Sequence, residues 1–415
     1  MNRHLSVFNN PRVAAALALG FASGLPLALS SGTLQAWVTV EGIDIKTIGW
    51  LTLAGIPYTY KFLWAPLFDR YPAPFLDHRR GWLAIMQIGL AIILFAMAAH
   101  PPHQSLGTLA VLAVALAVFS ASQDIVFDAY RTELLHGKER DAGSASSQFG
   151  YRLAMIVSGG VALILADRYF GFPGVYILMG GLMLLVVVAT SLSPPIERAS
   201  RAPTTLRDAI VLPFREFFSR PAALGLLAFT VLYKVGDAFA VSLSTTFLLR
   251  GIGFSLTEVG TVNKIFGLIA TLAGLLAGGA LITRLKLFRA LLIFGLLQAI
   301  TNLLYLVLAL AGKSYSLLIV AVGLDNLCGG MGSVAFVSLL MALCDRRFTA
   351  TQYALLSALA AFGRVYVGPA SGYLVAALGW PSFFLLTFFF ALPGIILLFP
   401  LRRIIEGYET TDSQR

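Results

Sequence analysis

Residues 120–135 read SASQDIVFDAYRTELL and close a long apolar run. On a helix, Gln123 and Asp124, then Asp128, then Arg131 and Leu135 recur at spacings of four and three, drawing one polar stripe along an otherwise apolar rod. Carboxylates so placed can hold a proton, or pair with an ammonium or guanidinium group. No nucleophile elbow, HExxH pair or histidine accompanies them within the apolar runs, so the stripe does not read as an enzyme site. An ionisable group near a bilayer centre costs roughly 2.5–3.5 kcal/mol even on a lenient scale, and therefore calls for a functional reason. Whether this helix crosses a membrane is decided by the rest of the chain.

The 415 residues are 58% hydrophobic and only 12% charged, with mean hydropathy +0.82. A soluble domain is ordinarily about 45–50% apolar and ~25% charged, so the composition is that of a polytopic membrane protein. The formal charge of +10 is spread over short connectors instead of being gathered on one face, which argues for membrane topology and against nucleic acid. Cys328 and Cys344 both lie inside apolar runs, and His4, His78, His100, His103 and His136 lie in the terminus or connectors. That pattern implies no disulfide scaffold, no metal site and no cofactor. The first apolar segment has no small-residue cleavage site before the next begins, so it reads as a retained helix.

Apolar stretches of roughly 20 residues, enough to cross about 30 Å of hydrocarbon, number twelve. The fourth covers about 106–129, the fifth 142–166, the seventh 222–248, the tenth 314–343 and the eleventh 350–377. Of 30 Lys and Arg, 21 fall in the two termini and alternate connectors, four in the intervening connectors and five within spans. By the positive-inside rule both termini are cytoplasmic. Residues 193–221 form the longest connector, with Arg198, Arg201, Arg207, Arg215 and Arg220 beside three prolines. It reads as a cytoplasmic linker between an N-terminal half, 1–192, and a C-terminal half, 222–415, with its DAIVLPFREFF portion lying amphipathically on the inner leaflet. GIDIKTIG (42–49) aligns without gaps to GFSLTEVG (253–260) at an offset of 211, and Arg152 and Gly160 match Arg364 and Gly372 at an offset of 212. Two six-helix halves repeated in parallel are the major facilitator architecture, with substrate held near the midplane.

Polar groups at membrane depth then become the candidates. Lys61, Arg152, Lys234, Lys264 and Arg364 are deep cations, set against Asp124, Asp237 and Asp325. Lys234 and Asp237, three apart, share a helix face and form either an intrahelical ion pair or part of a site. Arg152 and Arg364 either neutralise nearby carboxylates or bind an anion. The excess of cations favours an anionic solute over a cationic drug. LFDRYPAPFLDHRRG (67–81) holds Asp69, Arg70, Arg79 and Arg80, similar to the facilitator loop in which Asp-Arg precedes a basic pair, though lengthened around Pro72 and Pro74. Asp128 and Arg131 lie near the cytoplasmic end of the same stripe, where they would pair with that loop as a gate, leaving Gln123 and Asp124 a turn deeper for substrate or proton.

GFASGLPLALSSGTLQAW (20–37), SASQDIVFDA (120–129), GYRLAMIVSGG (150–160), LYKVGDAFAVSL (232–243), DNLCGGMG (325–332) and GRVYVGP (363–369) together closely resemble the AmpG muropeptide permeases, over nearly the whole of residues 8–400. The resemblance implies an inner-membrane facilitator of Gram-negative bacteria that imports GlcNAc-1,6-anhydro-MurNAc and its peptides with the proton gradient, for cell-wall recycling, and so feeds β-lactamase induction. Some family members continue beyond the twelfth span with further helices, whereas this chain stops about fifteen residues after it. A muropeptide offers hydroxyls and carboxylates, to be met by Gln35, Tyr58, Lys61, Gln123, Tyr151, Arg152, Lys234, Asn263, Lys264, Asn326, Arg364 and Tyr366. Asp124, Asp237 and Asp325 are the candidates for carrying a proton. The partners expected are the substrate, protons and lipid, with the protein acting as a monomer. The alternative is a major facilitator exporter or antiporter of drugs or organic anions such as acyl-CoA.

Overall fold

The structure, a computed structural model, describes residues 10–71, 73–135, 139–196, 216–219, 222–344 and 349–413. Its described residues are helical and joined by short turns. In the first half they form α1 (Pro11–Leu29), α2 (Gly32–Val40), α3 (Ile45–Leu51), α4 (Ile56–Tyr60), α5 (Ala65–Arg70), α6 (His78–Ala99), α7 (Pro102–Leu134), α8 (Glu139–Met155) and α9 (Gly171–Leu192). The second half supplies α10 (Ala223–Leu232), α11 (Val235–Ser242), α12 (Gly267–Leu285), α13 (Leu287–Ala311), α14 (Tyr315–Ala342), α15 (Thr349–Val365) and α16 (Val367–Ser413).

Among the described residues, nine stretches are long and apolar enough to cross a bilayer. Two of them, Ala142–Leu192 and Leu356–Gly407, run 51 and 52 residues, more than twice the roughly 20 that one crossing needs. Each contains a glycine at positive φ, Gly171 at 62° and Gly379 at 75°. The second predicted span is broken into the short pieces α3, α4 and α5. The pattern is consistent with twelve crossings. Ile92, Val111, Leu185, Leu276, Leu310 and Ile396 are 61–78% exposed, an apolar outer surface suited to hydrocarbon.

The chain divides into two compact units. The first comprises Met1–Ile43, Ala54–Ala202 and Ser255–Thr261; the second comprises Asp44–Leu53, Pro203–Phe254 and Val262–Arg415. Each unit thus takes in a short piece from the sequence range of the other. Those pieces overlap the matched octapeptides of the internal repeat, 42–49 and 253–260. Gly42 and Gly253 both adopt left-handed backbone, at φ 80° and 87°, a conformation in which glycine carries no side-chain penalty. Two residues on, Asp44 accepts from the amides of Lys46 and Thr47, and Ser255 forms a capping box with Glu258. The Thr47 hydroxyl, donating to Asp44, holds that carboxyl below the usual carboxylate range. In the first unit a Cβ on Gly260 would meet the Gly160 carbonyl at 2.7 Å, and in the second a Cβ on Gly49 would meet that of Gly368 at 2.6 Å.

Close helix approach also builds the interior of each unit. A Cβ on Gly24 of α1 would lie 2.5 Å from the Tyr151 carbonyl of α8, and one on Gly274 of α12 would lie 2.0 Å from the Leu327 carbonyl of α14. Backbones this near leave little room for repacking, so Gly274→Val is expected to cost about 1–3 kcal/mol or more. A melting curve in detergent checks this, and an unchanged midpoint would contradict it. Around these contacts lie two cores, one with Leu19, Leu83, Val126 and Tyr130, the other with Phe229, Phe294, Phe336 and Leu398.

Phe217 belongs to the second core and is wholly buried. Its neighbour Glu216 accepts a hydrogen bond from Gln352 Nε2 at 2.5 Å. This end of the linker is therefore docked into the second unit and does not lie along a membrane surface, because an aromatic ring gains more in a packed core than at an interface. Arg198, Arg201, Arg207, Arg215 and Arg220 lie outside the described residues.

Candidate functional site

In the first unit the polar stripe of α7 opens onto a cleft of about 160 Å³, lined by Ser23 of α1, by Asp124, Asp128 and Arg131 of α7, and by Ser147, Gln148 and Tyr151 of α8. The glycine contact between α1 and α8 brings Ser23 and Tyr151 to α7. Ser23 Oγ donates to Asp124 Oδ1 at 2.5 Å, and the Lys61 ammonium lies 3.9 Å from Asp124 Oδ2. Lys61 opens the short 3₁₀ turn that interrupts the second span. That break carries the ammonium out of helical register and towards α7. Trp64 Nε1, one turn further on, donates to Ser122 Oγ at 3.0 Å and fixes the turn against the same helix.

From the sequence, the stripe is expected to divide into a deep pair, Gln123 and Asp124, and an inner gate, Asp128 and Arg131. Asp124, Asp128 and Arg131 all line one cleft. Arg131 donates to Asp128 Oδ1 at 3.1 Å and to Ser147 Oγ at 2.9 Å, holding α7 to α8. Gln123 is the residue that separates from Asp124: it is fully buried, and neither its Oε1 nor its Nε2 has a partner among the described residues. A rotation of 100° per helical residue carries it off the cleft-facing edge and out of a substrate's reach in this structure.

The basic loop pairs with the fourth span through a different acid. Arg79 grips Glu133, with Nε 3.2 Å from both carboxylate oxygens and Nη2 2.7 Å from Oε1. Arg80 pairs with Asp77 and donates to the Ser193 carbonyl at 2.6 Å. The side chains of Asp69 and Arg70 lie outside the described residues. Such a fork is partly buried, at 12% and 21% side-chain exposure, and contributes stability as a pair of charge-assisted hydrogen bonds. Arg79→Ala is expected to lower stability by about 1–3 kcal/mol, with Arg79→Lys restoring only part because it loses the planar fork. Thermal melts of the two variants measure this, and equal midpoints would refute the fork.

In the second unit Lys234 sits where the seventh span breaks between α10 and α11. Its ammonium donates to Gln298 Oε1 at 3.1 Å and lies 4.0 Å from Asp237 Oδ2. Asp325 of α14 is 4% exposed and accepts from the hydroxyls of Thr301 at 3.1 Å and Tyr305 at 3.3 Å. Asn326 is committed to packing: it donates to the Val322 carbonyl at 2.9 Å and accepts from Thr271 of α12 at 3.1 Å. Lys264 donates to Thr245 at 2.9 Å. Gln35, Tyr58 and Asn263 are partly buried, and Arg364 and Tyr366 are exposed. Among the described residues Arg152 has a 4.0 Å contact with the Met155 sulfur and no carboxylate partner. Arg364 and Lys264 likewise form no ion pair there. Two deep cations are thus matched to carboxylates, while Arg152, Lys264 and Arg364 are in excess over Asp325.

Sequence reasoning missed Ser23, Ser147 and Gln148 in the cleft, Glu133 beside Arg79, and Gln298, Thr301 and Tyr305 around Lys234 and Asp325. The last three carried a signal. Gln298, Thr301, Asn302 and Tyr305 recur at i, i+3, i+4 and i+7 on α13, a polar stripe on an apolar helix like that on α7.

These features can be set beside known proteins. The Major Facilitator Superfamily model matches residues 16–349 and 231–412. The anhydromuropeptide permease of Escherichia coli (strain K12) is 53% identical over 412 residues, covering 99% of this chain and 84% of that protein. A Haemophilus influenzae protein without an assigned activity is 37% identical, covering 95% of each. Among solved structures, a bacterial homologue of the human lysosomal transporter Spinster superposes with TM-score 0.72 at 15% identity, over 97% of this chain and 98% of that one. A D-xylose–proton symporter does so with TM-score 0.72 at 13% identity, over 93% and 96%. Likeness at that identity speaks for the fold alone. With a family model spanning most of its length and a relative more than half identical end to end, the chain belongs to the Major Facilitator Superfamily, in the family of the anhydromuropeptide permeases.

Proposed function

We propose that this protein imports GlcNAc-1,6-anhydro-MurNAc and its peptides from periplasm to cytoplasm for peptidoglycan recycling. Import proceeds by proton symport, with the two halves exposing a midplane site to each side in turn. It is a multi-pass protein of the bacterial inner membrane, acting as a monomer with both termini in the cytoplasm. The observation that carries the reading is 53% identity with the E. coli permease over 99% of the chain. The cation excess supports it, since a muropeptide brings several carboxylates and Arg152, Lys264 and Arg364 have no carboxylate partner among the described residues. The cleft beside Asp124 has room for one polar group of such a ligand, with Ser23, Gln148 and Tyr151 as hydrogen-bonding partners.

The test is uptake of labelled anhydro-muropeptide into proteoliposomes with and without an inward proton gradient. Accumulation above equilibrium only with the gradient is expected. Absence of uptake under both conditions by folded protein rejects the substrate, and gradient-independent uptake rejects the symport.

A further inference from the structure

The second unit places one ammonium, Lys234, and two carboxylates, the buried Asp325 and the partly exposed Asp237, within hydrogen-bonding or electrostatic reach of one another. The other charged group with influence there is Arg364 of α15, which is exposed and so largely screened. Tyr305 and Cys328 complete the titratable neighbours of Asp325. With both acids ionised, the single ammonium of Lys234 is shared between two carboxylates. A carboxylate as buried as Asp325 is then favoured to take up a further cation.

The arrangement around Asp325 is built for that cation to be a proton. Thr301 has one hydroxyl hydrogen and two acceptors, the Gln298 carbonyl at 2.8 Å and Asp325 Oδ1 at 3.1 Å. When Asp325 is ionised, Thr301 donates to Oδ1. When Oδ1 carries a proton, Asp325 donates to Thr301 Oγ and Thr301 turns its own hydrogen to the Gln298 carbonyl. Both states keep the hydrogen bond between Thr301 and Asp325, with its direction reversed. Tyr305 donates to Oδ2 and is itself held by stacking on Phe384 at a centroid distance of 5.4 Å. Donors aimed at both oxygens favour the ionised carboxylate and repel a metal ion, and the turn of the Thr301 hydroxyl is what lets Oδ1 take a proton. Gln298, through Oε1, anchors the Lys234 ammonium on the same face of α13.

We propose that Asp325 carries the transported proton, with Thr301 as a positioning residue that serves both protonation states and Lys234 as the resident counter-ion. Asp124, already paired with Lys61 and open to the cleft, then belongs to the substrate side. This deepens the symport reading and rests on it.

Two measurements on the full-length protein test it. In proteoliposomes, Asp325→Asn is expected to lose gradient-driven accumulation of anhydro-muropeptide by about tenfold or more, while exchange of labelled for unlabelled substrate, which moves no net proton, persists. In infrared difference spectra taken across a pH step without substrate, the carbonyl stretch of a protonated carboxylic acid is expected in the wild type and absent from Asp325→Asn. Thr301→Val should displace the pH profile of accumulation, and Thr301→Ser should return it. Wild-type accumulation by Asp325→Asn, an unchanged infrared band, or accumulation driven by a sodium gradient at equal pH overturns the assignment. Loss of exchange and accumulation together, at a wild-type melting temperature, also overturns it. Wild-type protein that exchanges no muropeptide refutes the substrate reading instead, and the infrared band still decides Asp325.

Discussion

Asp124→Asn is expected to abolish accumulation of anhydro-muropeptide and, unlike Asp325→Asn, to depress exchange as well. Asparagine fills the same space and still accepts from Ser23, but it leaves the Lys61 ammonium without its carboxylate at 3.9 Å. Stranding one member of a buried pair costs about 3–5 kcal/mol. Lys61 is 35% exposed at its side chain, so solvent screening reduces that to about 1–2 kcal/mol. The larger effect falls on function: an orphan ammonium is free to capture a substrate carboxylate or to leave the turn at 61–63, and either change removes the cleft geometry that Ser23 and Tyr151 share with Asp124. Asp124→Asn combined with Lys61→Met removes the stranded charge and should recover the melting temperature without recovering transport. Wild-type exchange and accumulation by Asp124→Asn would exclude the carboxylate from both roles.

Arg152→Glu carries the second large effect. Arg152 has no carboxylate partner among the described residues, so its reversal breaks no ion pair there and the loss is expected in binding. A charge-assisted contact to a carboxylate contributes about 1.5–3 kcal/mol, and reversal adds repulsion. Affinity for peptide-bearing anhydro-muropeptide should therefore fall by about 10- to 100-fold, at 1.4 kcal/mol per decade. Analogues whose carboxylates are converted to amides should lose far less. Equilibrium binding of both ligands to purified protein separates the outcomes, and equal loss for the two would indicate damage to α8. The repeat-matched Arg364 permits the same comparison in the second unit.

Much of this protein could be read from one dimension of information. The apolar runs, the placement of Lys and Arg in alternate connectors, and the octapeptides at 42–49 and 253–260 declare a membrane-spanning, internally repeated chain. Each depends only on local composition or on a turn closed by its own residues. Gly42 and Gly253 illustrate the point, since their positive φ and the caps that follow at Asp44 and Ser255 need no distant partner. The family was legible for a related reason: long motifs keep their order along the chain whatever their packing.

Partnership was not legible, because it is settled by helix approach across large separations. Periodicity drew a polar stripe on α7 but not its cleft-facing edge, and a single residue of rotation put Asp124 in the cleft and Gln123 in the core. Ser23 meets Asp124 across 101 residues and Arg79 meets Glu133 across 54. The break in the second span directs Lys61 at an acid two helices away. The sequence by itself determined the class of molecule, its repeat and the stock of buried charges, all of which follow from hydropathy and local backbone preference. The tertiary structure decided which charges are matched and which remain for a ligand, because glycine-permitted approach of α1 to α8 and of α12 to α14 sets which side chains share a cavity.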